Sequence, residues 1–156
     1  MNIEIWSVGK ENDPHIEVGI LNYFKKIKPY ASIQLEIIQI PKSKLSQDAE
    51  KNKNLEAEYI LKKLQTHHYL ILLDETGKTF TSREWSQRLQ HLAGESPDLA
   101  LLIGGPDGHA PAVRARAAES WSLSRLTLPH GLARVMLAEQ LYRAQSLLLG
   151  HPYHRD

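Results

Sequence analysis

Nearly uninterrupted apolar stretches alternate with amphipathic ones along this chain. Ile3–Val8 (IEIWSV), Ser32–Ile40 (SIQLEIIQI), His68–Leu73 (HYLILL) and Asp98–Gly104 (DLALLIG) predict strands, and Ser120–Ser124 (SWSLS) predicts a weaker one. Runs of this kind suit strands covered on both faces. Helical spacing fills the gaps. Pro14–Ile27 is one helix; Gln47–Leu64 is a long charged one, with Leu55, Tyr59, Leu61 and Leu64 as its sparse apolar positions. Thr81-Ser82-Arg83-Glu84 reads as a capping box opening a helix to about Leu92. A short helix follows from Pro111 to about Ala118. The last runs from His130 to Leu149, with an apolar stripe of Leu132, Val135, Met136, Leu141, Ala144 and Leu148. Gly150 stops it and Pro152 prevents its resumption. The alternation predicts an α/β domain with a mostly parallel sheet and helices on both faces. Neither a repeat nor a low-complexity linker divides residues 1–156, so a single domain is expected.

Composition narrows the picture. A chain of 156 residues buries roughly 68–70% of its unfolded surface, enough for a core without staples. Cysteine is absent, which removes disulfides and thiolate metal sites and fits a reducing cytoplasm. The N-terminus carries no signal-peptide pattern, and no apolar run reaches membrane-spanning length. A net charge of +1 gives no global footprint for nucleic acid. All eleven lysines lie at or before Lys78 and all eight arginines at or after Arg83. The guanidinium fork grips phosphate in two places, so phosphate recognition would fall in the C-terminal half, unless the partition is compositional drift.

Three stretches carry candidate chemistry. In LLIGGPDGHAP a strand ends in Gly104-Gly105, where ligands of open α/β sheets bind and where bare backbone lets a ligand approach. It matches neither a dinucleotide fingerprint nor a P-loop, and a plain tight turn is the rival reading. In SWSLSRLTLPHGLAR a short apolar loop joins a strand to the last helix, with Thr127 as a candidate cap and Pro129 in the first turn. Such a loop could sandwich a flat heterocycle between leucines while free backbone groups read its edge; a buried connector is the alternative. Leu73–Lys78 (LDETGK) reads as a polar turn at another strand's carboxyl end.

Taken with the terminal HPYHR, LLIGGPDG and SWSLSRLTLPHGLARVMLAEQLYRA resemble the SPOUT-class ribosomal RNA large-subunit methyltransferases. Within that class the chain is similar to the small enzymes that methylate N3 of a pseudouridine in 23S rRNA. The likeness spans nearly the whole chain. Two positions depart from the family pattern: His109 stands where an apolar residue is usual, and Gly131 where a larger one is. The resemblance implies a C-terminal trefoil knot and S-adenosyl-L-methionine held by three loops. Those loops map onto Leu73, onto Gly104 and Gly105, and onto Leu123, Ser124, Arg125, Leu126, Thr127 and Leu128. It implies a cytoplasmic homodimer whose active sites draw on both chains, acting on 23S rRNA within the ribosome, with no membrane and no metal. Rival readings are a knotted enzyme acting on tRNA or a ribose 2'-OH, and a non-catalytic RNA-binding module.

Methyl transfer to an imide nitrogen needs the acceptor in line, ~3–3.5 Å from the methyl carbon, and a base for its proton. His154 is the candidate base, Arg155 the anion stabiliser, Tyr153 the stacking partner of the nucleotide and Arg143 the grip on phosphate or base. His130 and Arg134 could orient substrate. Arg143 could equally form an i,i+4 pair with Glu139. Ser124 is expected to serve through its backbone rather than its hydroxyl. His151 and His154, with no third ligand nearby, make a poor metal site. A terminal segment carrying such groups is expected to order by docking on a partner chain.

Overall fold

A computed structural model describes residues 1–95 and 98–155; Asp156, the last residue of the terminal stretch, lies outside them. Strands β1 (Asn2–Val8), β2 (Ser32–Ile38), β3 (Tyr69–Thr79), β4 (Asp98–Ile103) and β5 (Glu119–Ser122) form one sheet in the order β2-β1-β4-β3-β5. Every pairing is parallel. Helices α1 (Pro14–Ile27), α2 (Ala49–Lys63), α3 (Ser82–Glu95), α4 (Pro111–Arg116) and α5 (His130–Leu148) complete it, with a 3-10 turn at Lys42–Lys44.

Residue parity along the strands sorts the core into two layers, because successive side chains leave opposite faces. Ile3, Ile5, Ile71, Leu73, Leu99, Leu101 and Ile103 face α1, α3 and α5, which contribute Ile20, Phe24, Trp85, Leu89, Leu137 and Leu141. Trp6, Val8, Leu70, Leu72, Ala100 and Leu102 face α2 and α4, which contribute Ala57, Ile60 and Val113. Trp85 and Trp121 are buried, with ring centroids 5.1 Å apart. Each buried aromatic or branched side chain contributes on the order of 1.5–3 kcal/mol, so these layers dominate stability.

Local signals hold at several ends. Asp13 and Asp48 cap α1 and α2. The Thr81 backbone N–H donates to Glu84 at 2.7 Å, and Glu84 N–H donates to the Thr81 hydroxyl at 3.2 Å, which is the predicted reciprocal box. After α5, Gly150 N–H donates to Leu147 O and His151 N–H to Ser146 O, the bonding of a Schellman cap.

Three expectations change. Leu73–Lys78 does not close the strand: β3 continues to Thr79, and its register against β5 jumps between Leu73 and Lys78, both of which oppose Trp121. Asp74–Gly77 is therefore a bulge. A Cβ on Gly77 would lie 2.8 Å from the Ser120 carbonyl carbon, so only glycine admits this approach. On α5 the buried face is Ala133, Arg134, Leu137, Ala138, Leu141 and Ala144, while Leu132 and Leu148 are exposed. Leu141 and Ala144 of the expected stripe are buried, and packing against both α1 and α3 adds Ala133, Arg134, Leu137, Ala138 and Ser146 to the buried set in place of Leu132 and Leu148. On α2 the buried positions are Glu56, Ala57 and Ile60; the predicted leucines and Tyr59 only flank the core.

Candidate active site

The bulge after Leu73, the Gly104–Gly108 loop and the Leu123–Pro129 connector converge at the carboxyl ends of β3, β4 and β5. Together they enclose a cavity of about 820 Å³. Leu73, Gly104, Gly105, Leu123, Ser124, Leu126, Thr127 and Leu128 all line it; Arg125 does not, and is exposed. Asp74, Glu75, Thr76, Asp107, His109, Arg114, His130 and Ala133 line it too. The bulge carries the acidic wall, since the extra residues aim Asp74 and Glu75 where a regular strand would have paired onward.

The wall is electrostatically ordered. Arg114 pairs with Asp74, which also accepts from Thr76 N–H at 2.9 Å. Burial alone would raise Asp74; the bonds from Thr76 and Arg114 outweigh it and hold the carboxyl down at about 2. Glu75 accepts from the Thr127 hydroxyl at 3.0 Å, which ties two of the loops together. Thr127 therefore does not cap α5, whose N-cap is Pro129 without a side-chain bond. Pro129 already opens the helix with a fixed φ, and the Thr127 hydroxyl goes to the bulge instead.

The connector is less free than its apolar composition suggests. Ser122 Oγ donates to Ser124 O at 2.9 Å, and Leu126 N–H donates to Ser124 Oγ at 3.0 Å. The Ser124 hydroxyl is thus part of the turn, contrary to the expectation that only its backbone counts.

The paired glycines also have a different reason from the expected one. A Cβ on Gly104 would lie 2.9 Å from His109 Cε1, and one on Gly105 would lie 2.6 Å from Glu56 Oε1. Side chains of this protein, not only a ligand, demand bare backbone there. His109 is buried with Nε2 3.0 Å from Leu73 O. A carbonyl only accepts, so Nε2 carries the proton and Nδ1 keeps a lone pair, buried and without a partner. Gly131 is explained likewise. Its Cβ would meet Glu11 Oε2 at 2.6 Å. Glu11 accepts from Asn12 and Asp13 N–H and pairs with Arg134.

Arg134 does not face substrate. It is 1% exposed, and its guanidinium donates to Ser7 Oγ at 2.6 Å and to the Val8 and Gly9 carbonyls. The fork clamps the end of β1 to α5.

The terminal groups line a second cavity, of about 230 Å³, with Ser82, Arg83, Gln140, Arg143, Leu147, His154 and Arg155. It shares no residue with the first. Arg143 is bound to Glu139 through Nε at 2.9 Å and through Nη2, so the helix pair is formed. The Tyr153 hydroxyl donates to Glu139 Oε1 at 3.1 Å, and its ring packs on Tyr142 with centroids 4.5 Å apart. Burial, then bonding to Tyr23 and the charge of Glu139, hold its phenol far above the usual range, so it stays protonated. His154 Nδ1 is buried without a partner. The tail packs against α5 of its own chain through these contacts.

Comparison with known proteins decides the family. The model described as "Predicted SPOUT methyltransferase" matches residues 1–154. The chain belongs to the SPOUT methyltransferase family. A relative from Hahella chejuensis, "Ribosomal RNA large subunit methyltransferase H", is 42% identical over the full length of both chains. Relatives of the same name from Xanthomonas oryzae pv. oryzae and Stenotrophomonas maltophilia are 37% identical over 99% of each chain. Among solved structures, the "A. aeolicus TrmH/SpoU tRNA modifying enzyme" superposes with a TM-score of 0.50 at 10% identity, covering 99% of this chain and 82% of that one. That likeness concerns the fold.

Within this SPOUT domain, the sequence reading missed Glu56, Asp74, Glu75 and Arg114, and saw His109 only as a departure from pattern. The one local signal for the acidic pair was their position directly after a buried strand. Among the described residues, no group of His, Cys, Asp and Glu could hold a metal, and no helix is long and apolar enough to cross a membrane.

Proposed function

We propose that this protein methylates N3 of a pseudouridine in 23S rRNA of the assembled ribosome, using S-adenosyl-L-methionine. Full-length identity of 42% to a protein named as a large-subunit rRNA methyltransferase carries the reading. The donor is a sulfonium cation bearing adenosine, and the larger cavity suits it. Its volume is in the range of cofactor sites. Leu123, Leu126 and Leu128 offer apolar faces for the base, while Glu75 and Asp107 bring negative charge. When bound, the donor supplies an electrophilic methyl group and its own leaving group. The chain must then hold the acceptor nitrogen in line and take its proton.

His154, with its free buried Nδ1, is the proposed base, and Arg155 stabilises charge on the base oxygens. Arg143 and Tyr153 hold the nucleotide. Within one chain His154, Arg155 and Arg143 line a cavity separate from the larger one. Ala133 lines the donor cavity and Arg143 the other, and ten helical residues span ~15 Å. Transfer needs ~3–3.5 Å. We therefore propose a homodimer in which each tail completes the partner's donor cavity, with Val18 and Leu21 of α1 and Leu132 of α5, all at least half exposed, in the contact. A trefoil-threaded C-terminal half and a cytoplasmic location complete the reading.

The test is incubation with labelled S-adenosylmethionine and purified ribosomes, naked 23S rRNA or tRNA, followed by nucleoside mass spectrometry. Label at a pseudouridine in ribosomes alone is expected. Label in tRNA or on a ribose, or none, would overturn the assignment.

A further inference from the structure

Two titratable side chains press on the donor loop at successive glycines. His109 packs on Gly104 and Glu56 on Gly105, each so close that a methyl group there would overlap it. His109 also bonds the Leu73 carbonyl at 3.0 Å, so one ring joins two of the three loops around the cavity. Glu56 reaches the loop from α2, behind the cavity wall, and is 7% exposed. It makes no hydrogen bond or ion pair among the described residues.

We infer that His109 and Glu56 are positioning residues for the methyl donor: they clamp the Gly104–Gly105 loop, and the donor binds at full affinity only when His109 is neutral and Glu56 is protonated. The inference rests on the donor-binding reading of this cavity. Each half follows from burial. A carboxylate in a largely buried side chain, with no protein donor, is disfavoured, and Asp107, on the same loop, adds like-charge repulsion. Ionised Glu56 therefore drives the loop off α2. Protonated Glu56 is neutral and remains packed. Burial first, then Asp107, push this carboxyl up to about 7, so the two states exchange near neutrality. For His109, a second proton would go to Nδ1, which has no acceptor. Burial is the largest influence and lowers its pKa below the ordinary 6.5; the Leu73 bond and Asp74 of β3 oppose this, and Arg114 of α4 adds to it. Donor affinity is then highest between the two transitions.

Calorimetric titration of S-adenosylmethionine into the full chain and its variants, from about pH 5 to 9, tests this. Comparing proteins at each pH cancels the ligand's own amino group, which titrates at ~7.7–8.0. Above neutrality wild-type affinity should fall relative to Glu56→Gln by up to about tenfold per pH unit, while the two agree near pH 6. His109→Leu should bind at least ~5-fold more weakly near pH 7, and His109→Gln, which can still donate to Leu73 O, within ~2-fold of wild type but without the acid fall. Thermal melts establish that each variant folds; if His109→Leu does not, the acid limb of His109→Gln decides. Identical pH curves for wild type and Glu56→Gln, or an acid limb that persists in His109→Gln, overturn the clamp. Wild type that binds no donor at any pH overturns the donor-binding reading and the clamp with it, a result distinct from binding indifferent to both side chains.

Discussion

At the residue scale, function turns on a few contacts that exclude alternatives. Gly104→Val drives a branched side chain into the His109 ring, already 2.9 Å from a bare Cβ. It should abolish S-adenosylmethionine binding while circular dichroism stays native, and undiminished affinity by calorimetry would remove Gly104 from the site. Arginines behave less freely than their clustering suggested. Arg88 pairs with Glu119, Arg114 with Asp74, Arg134 with Glu11 and Arg143 with Glu139. The fork that suits phosphate suits carboxylate equally. Arg143→Ala should still lower ribosome methylation by ten-fold or more with donor affinity nearly intact, and Lys62→Ala should do neither; equal effects would make the partition drift. Glu56 also sets a stability sign. Its pKa is raised from 4.5 in the folded chain, so the stability it contributes is present below about 4.5 and lost as pH rises to about 7. Melting temperatures of wild type should therefore fall relative to Glu56→Gln across that window.

At the element scale, ends were readable and faces were not. The capping box opens α3 because its two bonds are local. Thr81→Ala should cost ~1 kcal/mol in denaturant unfolding and leave donor binding unchanged. Faces depend on what lies across the interface. α3 holds α5 through Ser86 Oγ donating to Ala144 O at 2.9 Å and Ser82 Oγ donating to Gln140 at 2.7 Å. Helix α5 then buries Ala133, Arg134 and Ala138 beside Leu137 and Leu141, while Leu132 and Leu148 stay exposed. The bulge in β3 is the same lesson. DETG has turn-like composition and loops out of the strand, yet pairing with β5 resumes at Lys78. That difference creates the acidic wall of the larger cavity.

For the whole molecule, the decisive feature is separation. The larger cavity and the tail cavity lie at different parts of α5 and share no residue. Deleting Tyr153 to Asp156 should leave a protein that folds, dimerises and binds donor, yet does not methylate ribosomes. Gly104→Val keeps its tail but lacks the donor. In a mixed dimer one intact tail meets one intact cavity, so subunit exchange should restore up to half the activity of a normal dimer. Verified heterodimers without activity would refute the shared site while leaving the enzymatic assignment standing.

Sequence patterns alone foretell the five strands, the five helices, a mostly parallel sheet and the three loops that meet at the larger cavity, while the eight lining residues named in advance came from the family resemblance. The elements and loops are recorded in short-range patterns: apolar runs, capping residues, and loops at the carboxyl ends of strands. Only the tertiary packing sets the bulge in β3, the Ser124 hydroxyl inside the connector, the Thr127 hydroxyl on Glu75 of that bulge, and the tail on Glu139 and Tyr142. It also decides that a carboxyl from α2 and an imidazole after β4 lie on successive glycines. Each of those contacts joins segments or side chains whose approach is set by packing, and no local pattern encodes which buried polar group will arrive from across the fold.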